Sequence, residues 1–262
     1  MVQKEKEVTL ITGASSGIGL QLAHECAKHK QDLILVARSK EVLKKVKMTI
    51  ERSYDSMVEI FECDLTKPRA VEMLYKKIEK KDLKVTNLIN NAGFGSSGKF
   101  QKLDIKKEVQ MINLNCSAVV EMTHTFLPQI IKNKGRILNI ASTAAFQPIP
   151  FMSVYAATKS FVLSFSKGLH SELKEQEVSV TALCPGATKT NFDKVANMSK
   201  SSLFSNPGVM SAEEVAKIGY ESMMERKSHV VCGTQNKVGA WFTRLVPIST
   251  SASIAKKIIG KK

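Results

Sequence analysis

The chain has 262 residues, 43% hydrophobic and 24% charged, with a formal net charge of +15. Those fractions exclude a disordered chain and a collagen-like one, and no apolar run approaches the ~18 residues of a membrane span. Five dispersed cysteines (26, 63, 116, 184 and 232) without a C-x-x-C pair argue against a disulfide frame or a metal site, and for reduced thiols in a cytoplasmic protein.

The predicted elements alternate in type along the chain. Met1 to Glu7 mixes Lys and Glu and does not read as a signal peptide. Val8–Thr12 is a short β-rich run that ends in glycines. Ile18–Lys30 sets Leu22, Ala23, Cys26 and Ala27 on one helical face. A strand at Leu33–Ala37, a helix at Glu41–Arg52 and a strand at Val58–Cys63 follow. Lys67–Lys80 is helical, and a strand closes at Asn87–Asn90 after Val85. Ile105–Ile131 reads as one long helix, broken or bent near Pro128. Arg136–Ala141 is a strand, Ser153–Glu175 a long helix and Val178–Leu183 a strand that ends at Pro185-Gly186. Ala212–Met224 is helical and Val230–Cys232 a last short strand. Continuous apolar strands alternating with helices imply an α/β fold, a doubly wound parallel sheet with helices on both faces. No linker or internal repeat divides it, so residues 1–262 read as one domain with a basic tail from about 241. Met198–Gly208, rich in Ser, is the candidate mobile loop.

The positive charge is uneven. Only six of the 39 basic residues are Arg, which disfavours nucleic acid as a partner. After Glu225 there is no acidic residue, and residues 226–262 carry eight of the positive charges. The asymmetry belongs to the tail.

Chemistry is concentrated after the strands. Thr12-Gly13-Ala14-Ser15-Ser16-Gly17-Ile18-Gly19 follows a strand and opens a helix, the context of a dinucleotide-binding turn. Gly13 permits the turn, while Gly17 and Gly19 let backbone approach a pyrophosphate at the helix N-terminus. The second strand ends in Ala37-Arg38-Ser39, with no acid for a ribose 2′-hydroxyl. Arg38 stands where a 2′-phosphate would lie, so the expected cofactor is NADP(H). Tyr155-Ala156-Ala157-Thr158-Lys159 puts a phenol and an ammonium on one helical face. A nearby cation favours the phenolate, which would make Tyr155 an acid–base group near neutral pH. Ser142, Asn90-Asn91-Ala92-Gly93, Asn115 and Pro185-Gly186-Ala187-Thr188-Lys189-Thr190 also lie just after strands or in the helix that follows. Open α/β sheets bind ligands at that edge.

In this ordered set the chain resembles the short-chain dehydrogenase/reductase family over nearly its whole length. The residues that carry the resemblance are TGASSGIG (12–19), Asp64-Leu65, NNAG (90–93), Asn115, Ser142, YxxxK (155–159) and PGxT (185–188). The resemblance implies a single Rossmann-type domain and pyridine-nucleotide oxidoreduction. It gives Tyr155 the role of proton donor and Lys159 that of ribose holder and partner of Tyr155, and has both contact the cofactor. Ser142 would hold the substrate oxygen, and Asn115, rather than the nearby Asn113, a water that relays protons through Lys159. The cofactor would contact Gly13, Ser15, Ser16, Gly17, Ile18 and Gly19, then Arg38 and Ser39. Asp64 and Leu65 would border the adenine, with Asn91, Ala92 and Gly93 on the ribose side. Pro185, Gly186, Thr188 and Thr190 would lie by the nicotinamide. The stretch from Phe146 to Glu172 is similar to the DltE-type branch, and less closely to 3-oxoacyl-CoA reductases and hydroxysteroid dehydrogenases. A homodimer or homotetramer through the long helices is also implied.

The rim residues Phe94, Phe146, Pro148, Phe151, Met152, Phe192, Met198, Leu203 and Phe204 would suit a small-molecule hydrophobic ketone, aldehyde or 3-oxoacyl compound, with Met198–Gly208 as a lid. In the tail, Ile254, Ala255, Ile258 and Ile259 form an apolar stripe beside Lys256, Lys257, Lys261 and Lys262, downstream of Trp241 and Phe242. Such a segment could rest on an anionic membrane surface, but a solvated tail or a subunit contact is the favoured reading. Two function classes stay open, a reductase and an NADP(H)-binding regulatory protein. Only the enzyme needs Asn115, Ser142, Tyr155 and Lys159 together.

Overall fold

The computed structural model describes residues 6–196, 198, 208–243 and 246–259. In chain order the elements are β1 (Lys6–Thr12), α1 (Gly17–Lys28), β2 (Asp32–Ala37), α2 (Lys40–Ser53), β3 (Val58–Glu62), α3 (Ala70–Glu79) and β4 (Leu83–Asn90). There follow α4 (Ile105–Ile112), α5 (Ala118–Lys132), β5 (Arg136–Ile140), α6 (Ser153–Glu172), β6 (Ser179–Cys184), β7 (Thr188–Lys189) and α7 (Phe192–Val195). The chain continues through β8 (Met210–Ser211), α8 (Ala212–Met224), β9 (His229–Val231), α9 (Thr234–Phe242) and α10 (Ile248–Ile259). Seven described strands pair in parallel in the order β3-β2-β1-β4-β5-β6-β9. The order reverses between β1 and β4, and the crevice at their C-terminal ends is where such sheets take ligands.

Side chains of each strand point alternately to two cores. Leu33 and Leu35 of β2 pack with α1, α2 and α8, while Ile34 and Val36 pack with α3 and α5. Both layers are apolar, so the central strands need no polar face. Each fully buried Leu or Ile contributes roughly 1.5–3 kcal/mol. No helix of the described residues is long and apolar enough to cross a membrane.

The segment read as one long helix over 105–131 is divided elsewhere than expected. α4 ends at Ile112, residues Asn113–Ser117 form a π-helical turn, and α5 then runs through Pro128 to Lys132. Pro128 and His124 are both exposed, so the carbonyl to which the proline cannot donate lies on the solvent side of α5. The interruption sits instead around Asn115, whose side chain is bonded outside its own helix. β4 begins at Leu83, earlier than its apolar run indicated. Helix α9 and the small β7–β8 pair were not foreseen, and α10 begins well before the apolar stripe read at Ile254–Ile259.

A buried polar chain ties the strand ends to the helices that carry the site. Asn139 on β5 is fully buried. Its Oδ1 accepts from Asn90 Nδ2 at 2.9 Å, and its Nδ2 donates to Ser166 Oγ on α6 at 2.9 Å. Asn90 also donates to Thr123 Oγ1 on α5 at 3.1 Å. Asn139→Ala strands these partners in a dry core. We expect it to lower the unfolding free energy by about 1–3 kcal/mol. Urea unfolding checks this as a lower midpoint with an unchanged slope.

Candidate active site

The turn after β1 is built by contact with the loop after β4. Gly13 and Gly17 have φ of +65° and +56°, a region that favours glycine. A Cβ on Gly13 would lie 2.8 Å from both Ala92 Cα and Asn91 Nδ2. Thr12 Oγ1 accepts from the Asn91 and Ala92 backbone N–H groups, each at 3.0 Å. Asn91 Nδ2 donates back to the Thr12 and Gly13 carbonyls at 2.9 and 3.1 Å. A Cβ on Gly19 would come within 2.2 Å of that same Nδ2. Gly19 and Asn91 therefore lock the two loops together.

Helix α1 begins at Gly17 with no side-chain cap from Ser16. Its first N–H groups and the positive end of its dipole are left for an anion at the crevice. At the end of β2, Arg38 is exposed, and Ser39 Oγ accepts from Val42 N at 3.4 Å and so caps α2. Opposite stands Asp64. Its burial would raise the carboxyl's pKa, but hydrogen bonds from Thr66 and the charges of Arg38 and Lys67 outweigh that and hold it low. Two cations thus flank one carboxylate at this end.

At the other end Ser142, Tyr155 and Lys159 are buried together. Ser142 follows β5. Its Oγ accepts from Ala144 N at 3.1 Å and donates to the Pro185 carbonyl at 3.3 Å. Tyr155 lies in the first turn of α6, with Phe192 of α7 against its ring at a centroid distance of 5.3 Å. Lys159, one turn on, donates from Nζ to the Ile140 carbonyl at 2.7 Å. That nitrogen is 5.8 Å from the Tyr155 ring centroid. Burial pushes the Tyr155 phenol up to about 12, against a smaller lowering by its hydrogen bond with Ser142. Burial also lowers the Lys159 ammonium to about 8. The ammonium is aimed at a main-chain oxygen, and loss of water is the largest cause of the phenol's shift.

Asn115 is 1% exposed and does not line the cavity. Its Oδ1 accepts from Phe94 N at 3.1 Å, and its Nδ2 donates to the Phe94 carbonyl at 3.0 Å and to Thr158 Oγ1 at 3.1 Å. A Cβ on Gly93 would lie 2.9 Å from that Oδ1 and 3.7 Å from Lys159 Nζ. The carboxamide clamps the loop after β4 to α6. It positions Lys159 and Tyr155 from behind.

One cavity of about 1630 Å³ joins the two ends. Its walls include Gly13, Ser15, Ser16, Gly17, Ile18, Arg38, Asp64, Leu65, Asn91, Ala92 and Gly93, then Ser142, Tyr155, Lys159, Pro185, Gly186, Thr188 and Thr190. Gly19 and Ser39 stand off the wall, for the reasons given above. Of the expected rim, Phe94, Phe146, Met152, Phe192 and Met198 line the cavity, whereas Pro148 and Phe151 do not. Leu203 and Phe204, and the expected lid between Met198 and Gly208, lie outside the described residues. Missed by the sequence were the Ile140 carbonyl, Thr12, Thr158 and a wall from α9 and α10. That wall includes Gln235, Asn236, Phe242, Ile254 and Ala255. No cap or motif marked α9 in advance.

These residues fit a dinucleotide. An uncapped helix start, two left-handed glycines and a carboxylate with paired cations line one continuous cavity. The family model described as short chain dehydrogenase matches residues 7–201. Human 17-beta-hydroxysteroid dehydrogenase type 3 is 32% identical over 235 residues, 88% of this chain and 75% of that protein. Human very-long-chain 3-oxoacyl-CoA reductase is 34% identical over 199 residues, 72% of this chain, and this chain spans only 62% of its length. A solved short-chain dehydrogenase from Sphingobium yanoikuyae in complex with NADPH superposes with a TM-score of 0.81 at 32% identity, over 92% of this chain and 91% of that one.

Thr12→Val keeps the shape of the turn and removes the acceptor for two backbone N–H groups. We expect about 1–3 kcal/mol of lost stability. Dinucleotide affinity, measured by calorimetry, should fall with it, because the loop that Thr12 holds forms the cavity wall.

Proposed function

We infer the function from one premise: this chain belongs to the short-chain dehydrogenase family. It is an oxidoreductase of the type that interconverts CH–OH and carbonyl groups. Our proposal is that it uses NADP(H) and reduces a hydrophobic ketone, aldehyde or 3-oxoacyl substrate, or runs the reverse reaction. The observation that carries the proposal is the burial of Ser142, Tyr155 and Lys159 at one end of a cavity whose other end presents Arg38.

The cofactor, when bound, supplies or accepts the hydride. Gly13 to Ile18 would hold its phosphates at the start of α1, and Arg38, with Lys67 nearby, a 2′-phosphate. Ser142 and Tyr155 hydroxyls would meet the substrate oxygen. Tyr155, whose pKa is held up to about 12, keeps its proton at neutral pH and donates it to that oxygen. The Lys159 charge steadies the phenolate left behind. Exclusion of water strengthens both effects. The apolar walls at Phe94, Phe146, Met152 and Phe192 support a lipophilic substrate. The names of the two curated relatives, a hydroxysteroid dehydrogenase and an oxoacyl-CoA reductase, support the same class. For NADP(H) the support is Arg38 and the NADPH complex of the structural neighbour. Exposed Ile112 on α4 and Phe161, stacked on Phe165 of α6, support a contact with a second copy of the chain.

The test is oxidation of NADPH against aliphatic aldehydes, diketones, steroids and 3-oxoacyl thioesters. Tyr155→Phe should cut turnover by about 10²–10⁴-fold and leave NADPH affinity unchanged. Arg38→Ala should weaken NADPH by about tenfold to a hundredfold with little change for NADH. NADPH binding without turnover on any substrate would replace the reductase by a regulatory protein.

A further inference from the structure

The wall made by α9 and α10 has an outer side. On α9, Val238, Trp241 and Phe242 are 62%, 61% and 51% exposed. Their spacing is i, i+3, i+4, so they share one helical face. Ile254 on α10 is 46% exposed. Phe242 and Ile254 also line the cavity, whereas Val238 and Trp241 do not. The exposed apolar face of α9 thus reaches the cavity through Phe242, which belongs to both. Exposed Lys237 and Lys256 flank it. Residues 237–262 hold six Lys and Arg and no Asp or Glu.

We propose that this face docks on an anionic lipid bilayer and that the cavity mouth between Phe242 and Ile254 opens towards it. Aromatic side chains belong at the headgroup level, and flanking lysines are drawn to acidic headgroups. Charge decides against a second copy as the occupant. A two-fold contact would bring together two cationic surfaces with no acid from residues 226–262 on either side. Ala255, expected in an outward apolar stripe, is 3% exposed and faces inward, so the membrane side is carried by α9 and Ile254. The docking itself does not depend on the reductase reading. Its use, entry of a lipophilic carbonyl from the bilayer, does.

Trp241 is the only tryptophan of the chain, so its emission reports on this face alone. The full chain is mixed with phosphatidylcholine vesicles, with or without phosphatidylserine. With the anionic vesicles at low salt the emission should shift to shorter wavelength and be quenched by lipids brominated in their acyl chains. Added salt should weaken the effect. Val238→Glu keeps the probe and leaves the cavity wall intact. It should weaken vesicle binding at least about tenfold, with turnover of a water-soluble carbonyl unchanged. Turnover of a long-chain aldehyde carried in the vesicles should fall with binding. Emission unmoved by anionic vesicles, or equal binding by Val238→Glu, would overturn the proposal. So would a blue-shifted Trp241 without lipid, in an oligomer that Val238→Glu dissociates, which would assign the face to a second copy. Vesicle binding with no turnover on any carbonyl would overturn the reductase reading alone.

Discussion

The Lys159 ammonium sits 2.7 Å from the Ile140 carbonyl oxygen, buried at the end of β5. A charge out of water is costly unless it is hydrogen-bonded, and that cost lowers its pKa to about 8. Much of the neighbouring structure serves to hold it there. Gly93 leaves the space beside it, Asn115 fixes the loop that contains Gly93, and Thr158 joins that clamp to α6. The same first turns of α6 carry Tyr155, so one rigid element sets both groups.

The sheet order explains how distant segments meet at this point. Strands β1 and β4 are neighbours at the reversal, and Thr12 and Asn91 stitch their following loops together. One loop presents an uncapped helix start, and the other leads to Gly93 and Phe94. Strand β5 delivers Ser142 and the Ile140 carbonyl. The buried Asn90–Asn139–Ser166 chain keeps these strand ends in register with α6. The glycine turn and the Ser142–Tyr155–Lys159 group are thus placed by one layer of main-chain ends, while α7, α9 and α10 line the rest of the cavity.

Much of this was legible in the sequence. Apolar runs that end in Thr12-Gly13, Asn90-Asn91 and Ala141-Ser142 mark strand ends without ambiguity, because a strand buried on both faces tolerates few polar residues. What escaped depends on three-dimensional surroundings. Pro128 looked like the break, yet α5 runs through it, and the irregularity sits upstream at Asn113–Ser117, where the Asn115 side chain is bonded outside its helix. The YxxxK spacing showed a cation near Tyr155 but not that both groups are buried with the ammonium donating to the Ile140 carbonyl. The tail pattern showed an apolar stripe but not that Ala255 turns into the cavity while Ile254 stays exposed.

The central claim is that a buried, protonated Tyr155 donates a proton beside a Lys159 that must be charged. The pH dependence of kcat/KM for carbonyl reduction tests it most directly. Tyr155, raised to about 12, stays protonated over the accessible range, so it imposes no fall there. Lys159, lowered to about 8, loses its charge as pH rises through that value. The rate should be flat at lower pH and decline above about 8. A profile that stays level or rises through that region would contradict the account.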